Sequence, residues 1–144
     1  MKTSYRMAFL LYLLVALAAA GGGLAYLLVP TIMPYHQQII GVPWDELGEG
    51  LQALLWIFVK MLGGFMIIAS VIIFFLTLVP FRHHERWVML TLPLVALLVT
   101  APALGATIYL NALTGAATPI VPSAILVSMV VVAFLLSLPG QKSG

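Results

Sequence analysis

Residues 61–79 read MLGGFMIIASVIIFFLTLV, nineteen positions without a charge. As a helix rising about 1.5 Å per residue, the stretch is roughly 28 Å long. The hydrocarbon core of a bilayer is about 30 Å thick. The apolar run is continuous, without the lumen-facing and lipid-facing alternation of a membrane β-barrel strand. In lipid a single span must bond its own backbone, which leaves a helix.

Working outward, three more stretches have the same character. The spans are expected at about 7–29, 54–79, 87–110 and 119–138, with an outer loop at 30–53. The second could start anywhere from Leu51 to Met61. Pro30, Pro34, Gly41 and Pro43 punctuate the first connection, Pro80 the second, and Gly115, Pro119 and Pro122 the third. The composition agrees: 63% of residues are hydrophobic and 7% charged, against roughly 25% charged in a soluble domain. The expected fold is all-α: a single-domain integral membrane four-helix bundle.

Other classes fall away. Ten charged residues cannot make a nucleic-acid face. The absence of Cys removes disulfides, thiolate catalysis and thiolate metal sites. Met1 to Gly23 has the outline of a secretory signal, but apolar sequence continues from Leu24 to Val29, so a retained span is the expectation.

Charge sets the orientation. Lys2 and Arg6 precede span one, Arg82 and Arg86 separate spans two and three, and Lys142 follows span four. Four spans place all three groups on one side, the cytoplasmic side by the positive-inside rule. Asp45, Glu46 and Glu49 then fall in the outer loop.

Lipid is as apolar as Leu, so membrane helices associate through small residues that permit close approach. Span one offers Ala16, Ala19, Ala20 and Gly23; span two offers Gly63, Gly64, Ala69 and Ser70; span three offers Ala96, Thr100, Ala103 and Thr107. Span four has the weakest seam, Ala124, Ser128 and Ala133, and reads as lipid-facing. Spans one to three should therefore pack most tightly. Pro93 and Pro102 should bend span three, and a pocket could lie under that bend.

The outer loop carries the most information. Pro43 followed by Asp45 and Glu46 is a helix-start signal. Leu47, Leu51, Leu54, Leu55 and Phe58 recur at helical spacing. Trp44 to about Val59 thus reads as an amphipathic outer-face segment leading into helix two, with Gly48 and Gly50 as bend points. Lys60 is the one charge inside the spans. Because Met61–Val79 nearly fills the membrane by itself, the favoured reading places Lys60 at the outer boundary. It would be a snorkelling anchor beside Trp56. The sharper reading draws Lys60 into the bundle, where Trp56, Lys60, Gly63 and Gly64 share a face. It would then attract a lipid phosphate or a carboxylate, or pair with Asp45, Glu46 or Glu49.

His36 with Asp45, Glu46 and Glu49 is an allowed metal-ligand set, but its spacing is loose, and a solvated loop with no metal is the expectation. His36 and Trp44 stay as ligand candidates. In Phe81-Arg82-His83-His84-Glu85-Arg86-Trp87, adjacent histidines do not face each other on a helix. Arg82 and Arg86 are better read as inner headgroup contacts. No span carries Asp or Glu, as a proton-coupled carrier would need. No Ser–His–Asp set shares a membrane level, and no His pair could ligate haem. No catalytic residue and no cofactor is expected.

Met33-Pro34-Tyr35-His36, Trp44-Asp45-Glu46-Leu47, Gly63-Gly64 and Val79-Pro80-Phe81-Arg82 with Glu85-Arg86-Trp87 resemble a group of uncharacterised small bacterial inner-membrane proteins with four predicted transmembrane helices. The resemblance covers most of residues 1–110. It implies a fold and a bacterial inner membrane, and no catalytic residues. The functional expectation is a non-catalytic accessory or interaction subunit that recognises a lipid or a partner through its outer loop. Its partners would be membrane lipids, another membrane protein or a second copy. Two alternatives stay open: a small oligomeric transporter or channel using Lys60 to attract an anion, and a lipid- or quinone-binding protein.

Overall fold

The computed structural model describes residues 3–138. Helix α1 spans Thr3–Leu28, and a short α2 spans Pro34–Ile40. Helix α3 spans Glu49–Leu76 and continues through a π-helical turn, Thr77–Phe81. Helices α4, Val88–Thr114, and α5, Ile120–Ser137, complete the chain, with no strand among the described residues. The long helices α1, α3 with its π turn, α4 and α5 are each long and apolar enough to cross a membrane. The protein is an all-α four-helix bundle. Lys2, Pro139, Gly140 and Lys142 lie outside the described residues.

Pairs of contacts fix the direction of α1 against α3. Gly23 meets Gly63, Ala16 meets Ser70 and Tyr5 meets Phe81. Numbers rise along one helix as they fall along the other, so the two are antiparallel. The start of α1 and the α3–α4 turn share one end of the bundle, here called the termini face. The α1–α3 connection lies at the other end, the loop face.

The tightest approach is between glycines. A Cβ on Gly63 would stand 2.8 Å from the Gly23 carbonyl oxygen and 3.0 Å from the Leu27 nitrogen. A Cβ on Gly23 would stand 2.9 Å from the Gly63 carbonyl oxygen. Both obstacles are backbone and cannot swing aside. Two turns below, the Ser70 hydroxyl donates to the Ala16 carbonyl at 2.8 Å. A Cβ on Gly64 would meet nothing within 4 Å, so that residue takes no part in the crossing.

The remaining packing differs from the expected order. Helix α1 packs most extensively on α3, but α5 packs on both α1 and α4, while α3 and α4 touch over a much shorter length. Around the bundle the order is α3, α1, α5, α4. Span four is therefore a core element. Val130, Ala133 and Ser137 form its buried stripe, whereas Ala124 is half-buried and Ser128 exposed. A uniform run of Val, Ile and Leu hides which face turns inward. Helix α4 is buried at Val88, Met89, Leu92, Pro93, Ala96 and Thr100 only. Ala103 is exposed and Thr107 half-buried, so its small-residue stripe stops halfway. Packing on α4 and α5 is concentrated toward the termini face.

The segment before span two is also rearranged. Trp44–Glu46 forms one turn of 3-10 helix, Leu47 and Gly48 are extended, and α3 starts at Glu49. It then runs unbroken through Gly50. Leu51, Leu54 and Phe58 are exposed on this straight helix, as lipid-facing residues of the span itself. At the far end, Pro80 has no N–H to offer the Leu76 carbonyl four residues earlier. The helix relaxes there into the wider π turn.

The glycine crossing gives a paired expectation. Gly63→Ala should lower the bundle's stability by about 1–3 kcal/mol through overpacking, while Gly64→Ala should leave it unchanged. Unfolding titrations of the purified protein in detergent would measure both.

Candidate functional site

Helix α1 ends where its backbone runs short of donors. The Tyr26 carbonyl would be bonded by the N–H of residue 30, but Pro30 has none. The last turn of α1 contains no basic residue to interact with its negative dipole end. The missing donors come from α3. The Lys60 ammonium donates to the carbonyls of Leu27 at 2.8 Å, Tyr26 at 3.3 Å and Val29. An ammonium has three protons, and all three find acceptors. One turn earlier on α3, the Trp56 indole N–H donates to the Pro30 carbonyl at 3.1 Å. The same ring lies 5.3 Å from the Lys60 nitrogen, a cation–π contact.

This arrangement follows from the glycine crossing. Gly63 is three residues from Lys60, and Gly23 three from Tyr26, so the close approach brings the ammonium level with α1's last turn. Lys60 is half-buried and level with the end of the first span. Its hydrogen-bond partners are all backbone carbonyls; no carboxylate is among them.

The other candidate residues are distributed as follows. Asp45, Glu46 and Glu49 are exposed on the loop face. Trp44 is half-buried, and its carbonyl accepts from the Gln52 amide at 2.8 Å. His36 lies on α2, half-buried, with its ring 4.2 Å from that of Tyr35 and 6.0 Å from that of Tyr26. The hydroxyls of Tyr26 and Tyr35 bond to each other. His36 Nδ1 is shut away from solvent without a hydrogen-bond partner. Burial disfavours the charged imidazole and pulls its pKa below the ordinary value. Burial first, and then the bond to Tyr26, pushes the Tyr35 hydroxyl up. Gln38 on α2 accepts from the Ala117 N–H at 3.1 Å, tying α2 to the α4–α5 connection.

No group of three or more His, Cys, Asp or Glu side chains is gathered for a metal among the described residues. His36 is not brought together with the loop carboxylates. Arg82 and Arg86 are exposed on the termini face. An apolar groove exists, but not under the prolines of α4. It lies between α1 and α5, lined by Leu11, Val121, Ala124, Ile125, Met129 and Val132 among others. The Tyr12 hydroxyl is fully buried in the core and lacks a partner.

Residue spacing on α3 brought Trp56, Lys60 and Gly63 together, but not their acceptors. Backbone carbonyls leave no signature in a residue pattern. Nothing in the residue pattern marks Tyr26 or Gln38, whose partners Tyr35 and Ala117 are met only through the fold.

No protein-family model, curated protein or solved structure matches the chain.

Chemically, the arrangement is a clamp. An ammonium whose three N–H groups are already on carbonyls can donate to an external anion only by releasing one of them. Lys60→Met should therefore cost stability of about 1.5–3 kcal/mol, the range for hydrogen bonds to a charged group. Asp45→Asn should cost nothing measurable. Parallel unfolding curves in detergent would compare the two.

Proposed function

We propose that this protein is a non-catalytic accessory or interaction subunit of a membrane, recognising its partner through the loop face. The observation that carries this reading is the engagement of Lys60. The one charge within the spans is used to hold helix α1 against α3. A solute pathway needs charged or polar groups free to meet the solute, and this charge is committed to the fold.

The loop face supplies the recognition chemistry. Asp45, Glu46 and Glu49 project into solvent beside half-buried Trp44. A basic segment of a membrane partner would complement them. Exposed Arg6, Arg82 and Arg86 on the opposite face favour cytoplasmic termini under the positive-inside rule. A bacterial inner membrane is the proposed location, and the sequence resemblance is what supports it.

One observation favours a second reading, lipid or quinone binding. The groove between α1 and α5 is apolar and open, which suits an acyl or isoprenoid chain.

Tagged protein purified from native membranes in mild detergent tests the proposal. A membrane partner should be recovered in stoichiometric amount. It should be lost when Asp45, Glu46 and Glu49 are replaced by their amides. Recovery of the chain alone, with anion flux into vesicles that Lys60→Met abolishes, would transfer the case to the transporter reading.

A further inference from the structure

At the termini face, α1 and the α3–α4 turn are locked together. The Tyr5 hydroxyl donates to the Phe81 carbonyl. Its ring stacks on Phe81 at 4.5 Å and lies 4.2 Å from the His84 ring. Tyr5 and Phe81 are almost wholly buried, so the joint is rigid. The turn is closed by backbone bonds from His83 N–H to the Val79 carbonyl at 3.2 Å and from Glu85 N–H to the Pro80 carbonyl at 3.0 Å. His84 sits in the left-handed region, φ 61°, the one non-glycine residue to do so among those described. A glycine would adopt that conformation more easily; the imidazole adds the contact with Tyr5.

Three arginines stand on this scaffold. Arg6 follows Tyr5 on α1, and Arg82 and Arg86 flank the turn. All three are exposed, and no ion pair relieves them among the described residues. Glu85, the acid of the same turn, is exposed and has no ion-pair partner among the described residues either. Helix α4 begins here with no acidic residue in its first turn and no side-chain cap. The positive end of its dipole adds to the field.

The surface next to these charges is apolar. Met7 and Leu10 on α1, Trp87 before α4 and Leu90 within it are all exposed. A ligand that fits must be negative at one end and oily at the other. A free anion would leave the apolar rim bare, whereas a phospholipid covers both.

We infer that Arg6, Arg82 and Arg86, held by the Tyr5–Phe81–His84 joint, form a headgroup site for an anionic phospholipid of the leaflet at the termini face. The guanidinium suits this role because its planar fork of donors matches phosphate oxygens. Each basic group near a membrane surface strengthens attraction to anionic lipid about fivefold. The loop-face partner plays no part in this inference, so either can fail alone.

The test uses the full chain reconstituted in vesicles of equal phosphatidylglycerol and phosphatidylcholine, then released into mild detergent. Native mass spectrometry counts the lipids retained. Wild-type protein should retain phosphatidylglycerol in clear preference. The preference should fall about fivefold for Arg86→Gln and vanish in the triple variant R6Q/R82Q/R86Q. The triple lysine variant, R6K/R82K/R86K, keeps the charge and should keep most of the preference; it also reports if loss of charge alone disturbs folding. Undiminished preference in a folded triple glutamine variant would overturn the inference. Displacement of the retained lipid by millimolar inorganic phosphate would overturn it too, because the site would then take any phosphate.

Discussion

A helix that ends inside or at the edge of a membrane leaves carbonyls that water does not readily reach. That constraint organises this protein. Pro30 removes one donor that α1 would otherwise have used, and α1 carries no cation of its own in the last turn. The Lys60 ammonium and the Trp56 indole, both from α3, supply the missing protons to residues 26, 27, 29 and 30. They can do so only because Gly23 and Gly63 let the two backbones come within contact of each other. Close packing and charge placement are therefore one feature of the α1–α3 pair. An ammonium on backbone carbonyls also avoids the cost of a bare charge in an apolar setting.

The second pair, α4 and α5, attaches differently. Its α5 packs on α1 and is buried at Val130, Ala133 and Ser137, and its buried α4 residues stop at Thr100. Toward the loop face the two pairs are linked chiefly by α2, whose Gln38 reaches Ala117 and whose Tyr35 holds Tyr26. The ends of the bundle differ in chemistry as well as packing. One presents exposed arginines on an aromatic joint, the other exposed carboxylates around a short roof helix. The bundle thus has its α4 and α5 packing concentrated at the termini end, and its internal charge is engaged by backbone carbonyls.

The four spans were legible because membrane thickness and apolar length are one-dimensional quantities. Met61–Val79 is uncharged for nearly the whole depth of the hydrocarbon, and no arrangement of neighbours alters that. The shared face of Trp56, Lys60 and Gly63 was legible because helical spacing is regular. Its acceptors were not, since every residue carries a carbonyl and only the geometry says which lack donors. The burial of Val130 was illegible for a related reason: in lipid the inward and outward faces of α5 are both apolar. Pro34 punctuates the first connection in the sequence, but proline also fits the first turn of a helix, and here it opens α2. The apparent helix from Trp44 ran across Leu47 and Gly48, two extended residues that the leucine spacing could not reveal.

The account rests on the ammonium of Lys60 holding the end of α1, and the carbonyls themselves report on that bond. Isotope-edited infrared spectroscopy on protein labelled with carbon-13 at the Leu27 carbonyl measures it directly. The charged hydrogen bond should lower the labelled carbonyl frequency in the wild type, and Lys60→Met should raise it, with Asp45→Asn leaving it in place. An identical frequency in wild type and Lys60→Met would contradict the clamp and return Lys60 to the role of a free charge in the membrane.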